Sequence, residues 1–147
     1  MVDEAAFHAS REQLNPNPCV FAKAILAGCA SCSLARHQAL AEREVVACSQ
    51  KVAHINCSTL KDLLYERATF ALRLPRPASE IPHLKAMKLV CGGLQGLQAA
   101  LAAPKPDVHA MVQSAQSRHD SLLDLPWQAI VVHIAAWQMR RRAPADQ

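Results

Sequence analysis

Residues 34–55 read LARHQALAEREVVACSQKVAHI, and the way this stretch folds decides the class of the whole chain. Leu34, Ala41, Val45, Cys48, Val52 and Ile55 recur at steps of seven, four, three, four and three, the spacing of one apolar face on an α-helix. Arg36, Gln38, Glu42, Arg43 and Gln50 fall on the opposite side, as a solvated face would. The segment therefore predicts one long helix.

The flanking sequence points the same way. Val20 to Ala30 is Ala-rich and predicts a short helix ending near Gly28. Asn56 to Thr59 read as a break, with Ser58 or Thr59 capping a helix to about Leu74 whose apolar side is Leu60, Leu63, Leu64, Phe70 and Ala71. Pro75, Pro77 and Pro82 mark a linker before a helix from about Ile81 to Ala102. Along that helix Leu84, Met87, Cys91, Leu94 and Leu101 form a stripe, with Gly92, Gly93 and Gly96 beside it. A glycine inside a helix costs roughly 1 kcal/mol relative to Ala, so three of them imply close approach of another backbone or a bound group. Asp107 caps a further helix to about Leu123, and Pro126 starts the last one, to about Arg142. No period-two strand pattern and no repeat is visible. The expected architecture is an all-α bundle of four to six helices with an N-terminal Cys-rich segment. Its expected divisions are a flexible segment 1–18, one helical domain 19–142 and a tail 143–147.

A chain of 147 residues buries enough surface to fold without cross-links. It is 51% hydrophobic but only 4% aromatic, which suits a bundle. Much of the net charge of +4 sits in Arg140, Arg141 and Arg142, and no basic stripe with interleaved aromatics accompanies them, so a nucleic-acid partner is not expected. Asp3 and Glu4 stand where a secretory signal would carry positive charge, and the best apolar run, Ala129 to Trp137, is too short to span a membrane. A cytoplasmic protein is expected, in which clustered thiols mean metal or redox chemistry more often than structural disulfides.

Five of the six cysteines follow C-x9-C-x2-C-x15-C-x8-C, from Cys19 through Cys29, Cys32 and Cys48 to Cys57, while Cys91 lies alone further on. A C-x2-C pair supplies two thiolates at short range and outlying cysteines close the shell, so Cys29 and Cys32 read as the leading ligand pair. Cys19, after a proline, and Cys57, in the helix break, read as the third and fourth ligands. Cys48 divides evenly between ligand and buried thiol, and Cys91 reads as core. Wide, irregular spacing around a single C-x2-C suits an iron-sulfur cluster, most simply [4Fe-4S] on four Cys, better than a zinc knuckle, although it matches none of the ferredoxin signatures. Zinc is the alternative. An unbroken helix from Leu34 to Ile55, about 33 Å long at 1.5 Å per residue, would part Cys32 from Cys57, so a single centre requires a bend there.

Cys19/Cys29 and Cys48/Cys57 also lie almost symmetrically about residue 38, a pattern that resembles the twin C-x9-C of small oxidised helical-hairpin proteins. That resemblance implies pairing of 19 with 57 and 29 with 48, although the second spacing is one residue short. The seven histidines form no paired metal spacing, and Glu42 and Glu44 read as solvated charge. Trp127 and Trp137 read as core anchors. With no P-loop, dinucleotide-binding glycine motif or nucleophile elbow, no conventional enzyme is visible. The sequence leads to an electron-transfer, redox-sensing or accessory protein that meets a protein redox or regulatory partner, or alternatively to a thiol-disulfide or zinc-stabilised interaction module.

Overall fold

The computed structural model describes residues 17–40, 42–76 and 80–139. They are mostly helical, with a small two-stranded sheet. In chain order the elements are α1 (Ala22–Leu26), β1 (Ala35–Leu40), β2 (Arg43–Cys48), α2 (Lys51–Leu72), α3 (His83–Met87), a π-helical turn (Lys88–Gly92), α4 (Gly93–Leu101), α5 (Val108–Arg118) and α6 (Trp127–Ala136).

The sheet corrects the all-α expectation, and it does so at residues 34–55. β1 and β2 pair antiparallel from Ala35 opposite Cys48 to Leu40 opposite Arg43, and Glu42 in the connection takes a left-handed φ of 66°. A two-residue hairpin loop needs positive φ to match strand twist, and Glu42 supplies it without the Gly or Asn that usually marks such a turn. The adjacent β-branched Val45 and Val46 are both buried, one on each face of β2. Val52 and Ile55, part of the apparent helical stripe, are exposed instead. The reversal between β1 and β2 and the turn through Ser49 and Gln50 provide the bend that a common centre requires.

α2 begins at Lys51, so Cys57 lies inside a helix and not in a break. Its buried side is Leu60, Leu63, Leu64, Ala68 and Leu72, whereas Phe70 is 96% exposed. The helix expected from Ile81 to Ala102 is present as α3, the π-turn and α4 in continuous succession. α5 ends at Arg118, and α6 ends at Ala136. Segment 1–16 and residues 140–147, which include the Arg140–Arg142 cluster, lie outside the described residues. Asn17 and Pro18, expected in the flexible segment, are hydrogen-bonded to β2 or paired with it.

α2, α4, α5 and α6 enclose one core built from Leu60, Leu64, Leu94, Leu97, Met111 and Ile130, all nearly inaccessible. Trp127 anchors it, its indole N–H donating to Leu122 O at 3.0 Å. Gly92 and Gly96 lie where α6 comes closest: a Cβ on Gly92 would sit 2.8 Å from Ile134 Cα, and one on Gly96 3.1 Å from Ile130 Cα. Another backbone is therefore the reason for these two glycines. Ala24 of α1 and Phe21 just before it join the core from the cysteine-rich side.

Candidate metal centre

The segment before α1 runs along the free edge of β2. Cys19 N donates to Val46 O and Cys48 N to Asn17 O, both at 2.9 Å, and the Asn17 side-chain amide donates to Cys48 O at 3.2 Å. In this antiparallel register residue 17 faces Cys48 and residue 19 faces Val46, so Cys19 and Cys48 share one face of the sheet, two residues apart. The same register puts Ala35, opposite Cys48, on that face.

Cys32 arrives from the loop between α1 and β1. Ser31 N donates to Pro106 O at 2.9 Å, Val108 N to Ser31 O at 2.8 Å, and Ser33 N to the Asp107 carboxylate at 3.0 Å. Asp107 stands at the N-cap of α5, but its side chain holds this loop instead of capping its own helix. Cys57 completes the set from the second turn of α2, which the chain enters directly after β2. The Cys48 thiol donates to Gln50 O at 3.2 Å across that junction.

Cys19, Cys32, Cys48 and Cys57 line one cavity of about 20 Å³. Ala35, Ala53 and Val108 form apolar wall, and His54 and His109 also border it. His54 Nε2 is 2.9 Å from Pro18 O and fixes the residue before Cys19 to α2. Among the described residues no group of three or more His, Cys, Asp or Glu side chains is gathered tightly enough to hold a metal ion. The four thiols instead surround the cavity from four separate segments of chain.

Electrostatics follow from this convergence. Burial, and then the neighbouring Cys32, Cys19 and Cys48, push the Cys57 thiol up to about 12. Burial likewise raises Cys19, with Cys32 and Cys48 adding to it, while a backbone hydrogen bond from Phe21 and the nearby Lys61 pull it back. Lys61 is itself lowered by burial and by Lys23. The neighbouring sulfurs that help raise Cys19 and Cys57 disfavour negative charge there, and a bound cationic centre reverses that balance by pairing with the thiolates.

Of the five sequence-derived candidates, these four meet. Cys29 does not join them, and the C-x2-C pair is split between two sites. Gly28 ends α1 at a left-handed φ of 81°, with Gly28 N donating to Ile25 O and Cys29 N to Ala24 O, which is a Schellman closure. It turns Cys29 back onto the core, away from the four-thiol cavity. All six cysteines are free, and the pairings 19–57 and 29–48 are absent. Sequence reading missed His54, His109 and Asp107, because their roles depend on cross-chain pairing that local spacing does not encode. No family model, curated protein or solved structure matches the chain.

Proposed function

We propose that this protein holds one iron-sulfur cluster, [4Fe-4S], on Cys19, Cys32, Cys48 and Cys57, and acts in electron transfer, redox sensing or as an accessory to a protein redox or regulatory partner in the cytoplasm. The observation that carries the reading is the meeting of four thiols, from an extended edge, a loop, a strand end and a helix, around one cavity. Scattered buried cysteines have no reason to converge in this way, whereas a cubane needs one thiolate at each of four iron corners. The surrounding chain suits the chemistry. Apolar wall excludes water, and Lys61 beside Cys19 offsets the negative charge of a thiolate-ligated cluster.

A zinc centre is the second reading, favoured by the small volume of the cavity and by two histidines at its border. Anaerobic purification followed by iron, sulfide and zinc analysis separates the two. The cluster predicts brown protein with about four iron and four sulfide per chain. Colourless protein with one zinc per chain would replace the first reading with the second, and protein that binds neither would remove both.

A further inference from the structure

A second cavity, a groove of about 900 Å³, shares no lining residue with the four-thiol cavity. Its size falls in the range of roughly 300–1,000 Å³ that small-molecule sites occupy. Three segments form its walls. α1 and its Schellman closure contribute Lys23, Leu26 and Cys29, α3 contributes His83 and Met87, and the chain leaving α6 contributes Trp137. A Cβ on Gly28 would meet nothing within 4 Å, so this glycine is required by its φ and the groove is open beside it. The π-turn begins directly after Met87, and single π-turns inside helices occur mostly at functional sites.

The lining is of two kinds. Leu26, Met87 and Trp137 form an apolar wall that includes an indole against which a flat ring can pack, and the flexible Met87 adapts to the outline of that ring. Leu26 is 46% exposed, so the wall is accessible from solvent. Lys23 and His83 supply the polar edge, and no Asp or Glu is among the described residues that line the groove. The carboxyl end of α6, whose carbonyls would repel an anion, is answered by Lys88, whose Nζ donates to Ala135 O at 3.2 Å. A charged head and an apolar ring are therefore both matched. We propose that this groove binds a small aromatic carboxylate, with its ring against Trp137 and Met87 and its carboxylate on Lys23, where the His83 ring adds a second hydrogen-bond donor. The site goes beyond the metal centre and holds whatever the four-thiol cavity contains.

Isothermal titration calorimetry of the full chain, with whatever metal it carries, compares naphthoate with naphthamide, which has the same rings and no charge. The expected result is a Kd of about 1 mM or tighter for naphthoate and binding roughly tenfold weaker for naphthamide, which lacks the charge-assisted hydrogen bond to Lys23. Lys23→Glu should weaken naphthoate binding by at least roughly tenfold. Ala27→Trp, which puts an indole into the groove from an exposed position, should abolish binding of both probes. Lys105→Glu makes the same change of net charge away from the groove and should leave both affinities unchanged. Circular dichroism confirms that each variant is folded. Equal affinity for the two probes, or naphthoate binding retained in Lys23→Glu or Ala27→Trp, would overturn the proposal. So would the absence of heat with naphthoate at about 10 mM, or binding seen only after deletion of residues 140–147, which would assign the groove to the chain's own C-terminal segment.

Discussion

Gly92→Ala adds one methyl group where the π-turn packs directly on the α6 backbone. The new Cβ would stand 2.8 Å from Ile134 Cα, 3.0 Å from Trp137 Cβ and 3.1 Å from His133 O. Unstrained carbon contacts lie at about 3.5–4.0 Å, so the helix backbones must separate by several tenths of an ångström. Overpacking costs roughly 1–3 kcal/mol, and a clash with backbone atoms, which cannot rotate aside, falls in the upper part of that range at about 2–3 kcal/mol, from which the better helix propensity of Ala recovers about 1 kcal/mol. A net loss of about 1–2 kcal/mol lowers Tm by roughly 3–6 °C in a domain of this size. Gly93→Ala is the internal control. Its Cβ would press first on the Leu64 side chain, with the two methyl ends at 2.7 and 2.9 Å and Cγ at 3.3 Å, which can rotate aside, so the propensity gain offsets most of the strain. Thermal denaturation of both variants by circular dichroism decides the matter. A Gly92→Ala protein as stable as wild type, or one less affected than Gly93→Ala, would refute the packing argument.

Three further outcomes follow from the same geometry. Cys57 titrates higher in the folded apo protein than in the unfolded chain, so between about pH 9 and 12 the folded state holds the extra proton and stability falls as pH rises. Urea denaturation of the apo protein from pH 8 to 11 should show this decline, and a flat profile would contradict it. Asp107→Ala removes the acceptor for Ser33 N and should cost about 1 kcal/mol and weaken metal retention, because the loop holding Cys32 loses its tie to α5; unchanged retention would show that the loop is held by the Ser31 backbone bonds alone. In hydrogen exchange on the apo protein, amides from Cys19 to Cys48 should lose protection while α4 and α6 keep theirs, since the former region rests on few buried apolar side chains. Uniform loss would mean that the centre supports the whole fold.

The helical half of the fold was legible because its signals are local. Proline boundaries, the Asp107 start and the leucine stripes located the α3–α4 helix and the starts of α5 and α6 to within a few residues, and the glycines announced the close helix contact, whereas α2 begins at Lys51, before the break read at Asn56 to Thr59. The hairpin was not legible. Its apolar positions also satisfy helical spacing, and its turn uses Glu42 at positive φ where no Gly or Asn gives warning. The same error hid the geometry of the thiol cavity. Cys19 and Cys48 share a face only because the chain at 17–19 pairs with β2, a contact between segments about thirty residues apart. Short sequence spacing, by contrast, made Cys29 and Cys32 a pair, whereas the Schellman turn at Gly28 sends their thiols to different places.

The central claim is that Cys48 belongs to the four-thiol centre and Cys29 does not, and iron content after anaerobic purification of Cys48→Ser and Cys29→Ser measures it most directly. Serine nearly preserves the shape of each side chain, and circular dichroism confirms that each variant is folded. The account predicts that Cys48→Ser loses most of its iron and visible absorbance while Cys29→Ser keeps both at the wild-type level. Iron retained in Cys48→Ser and lost in Cys29→Ser would contradict it.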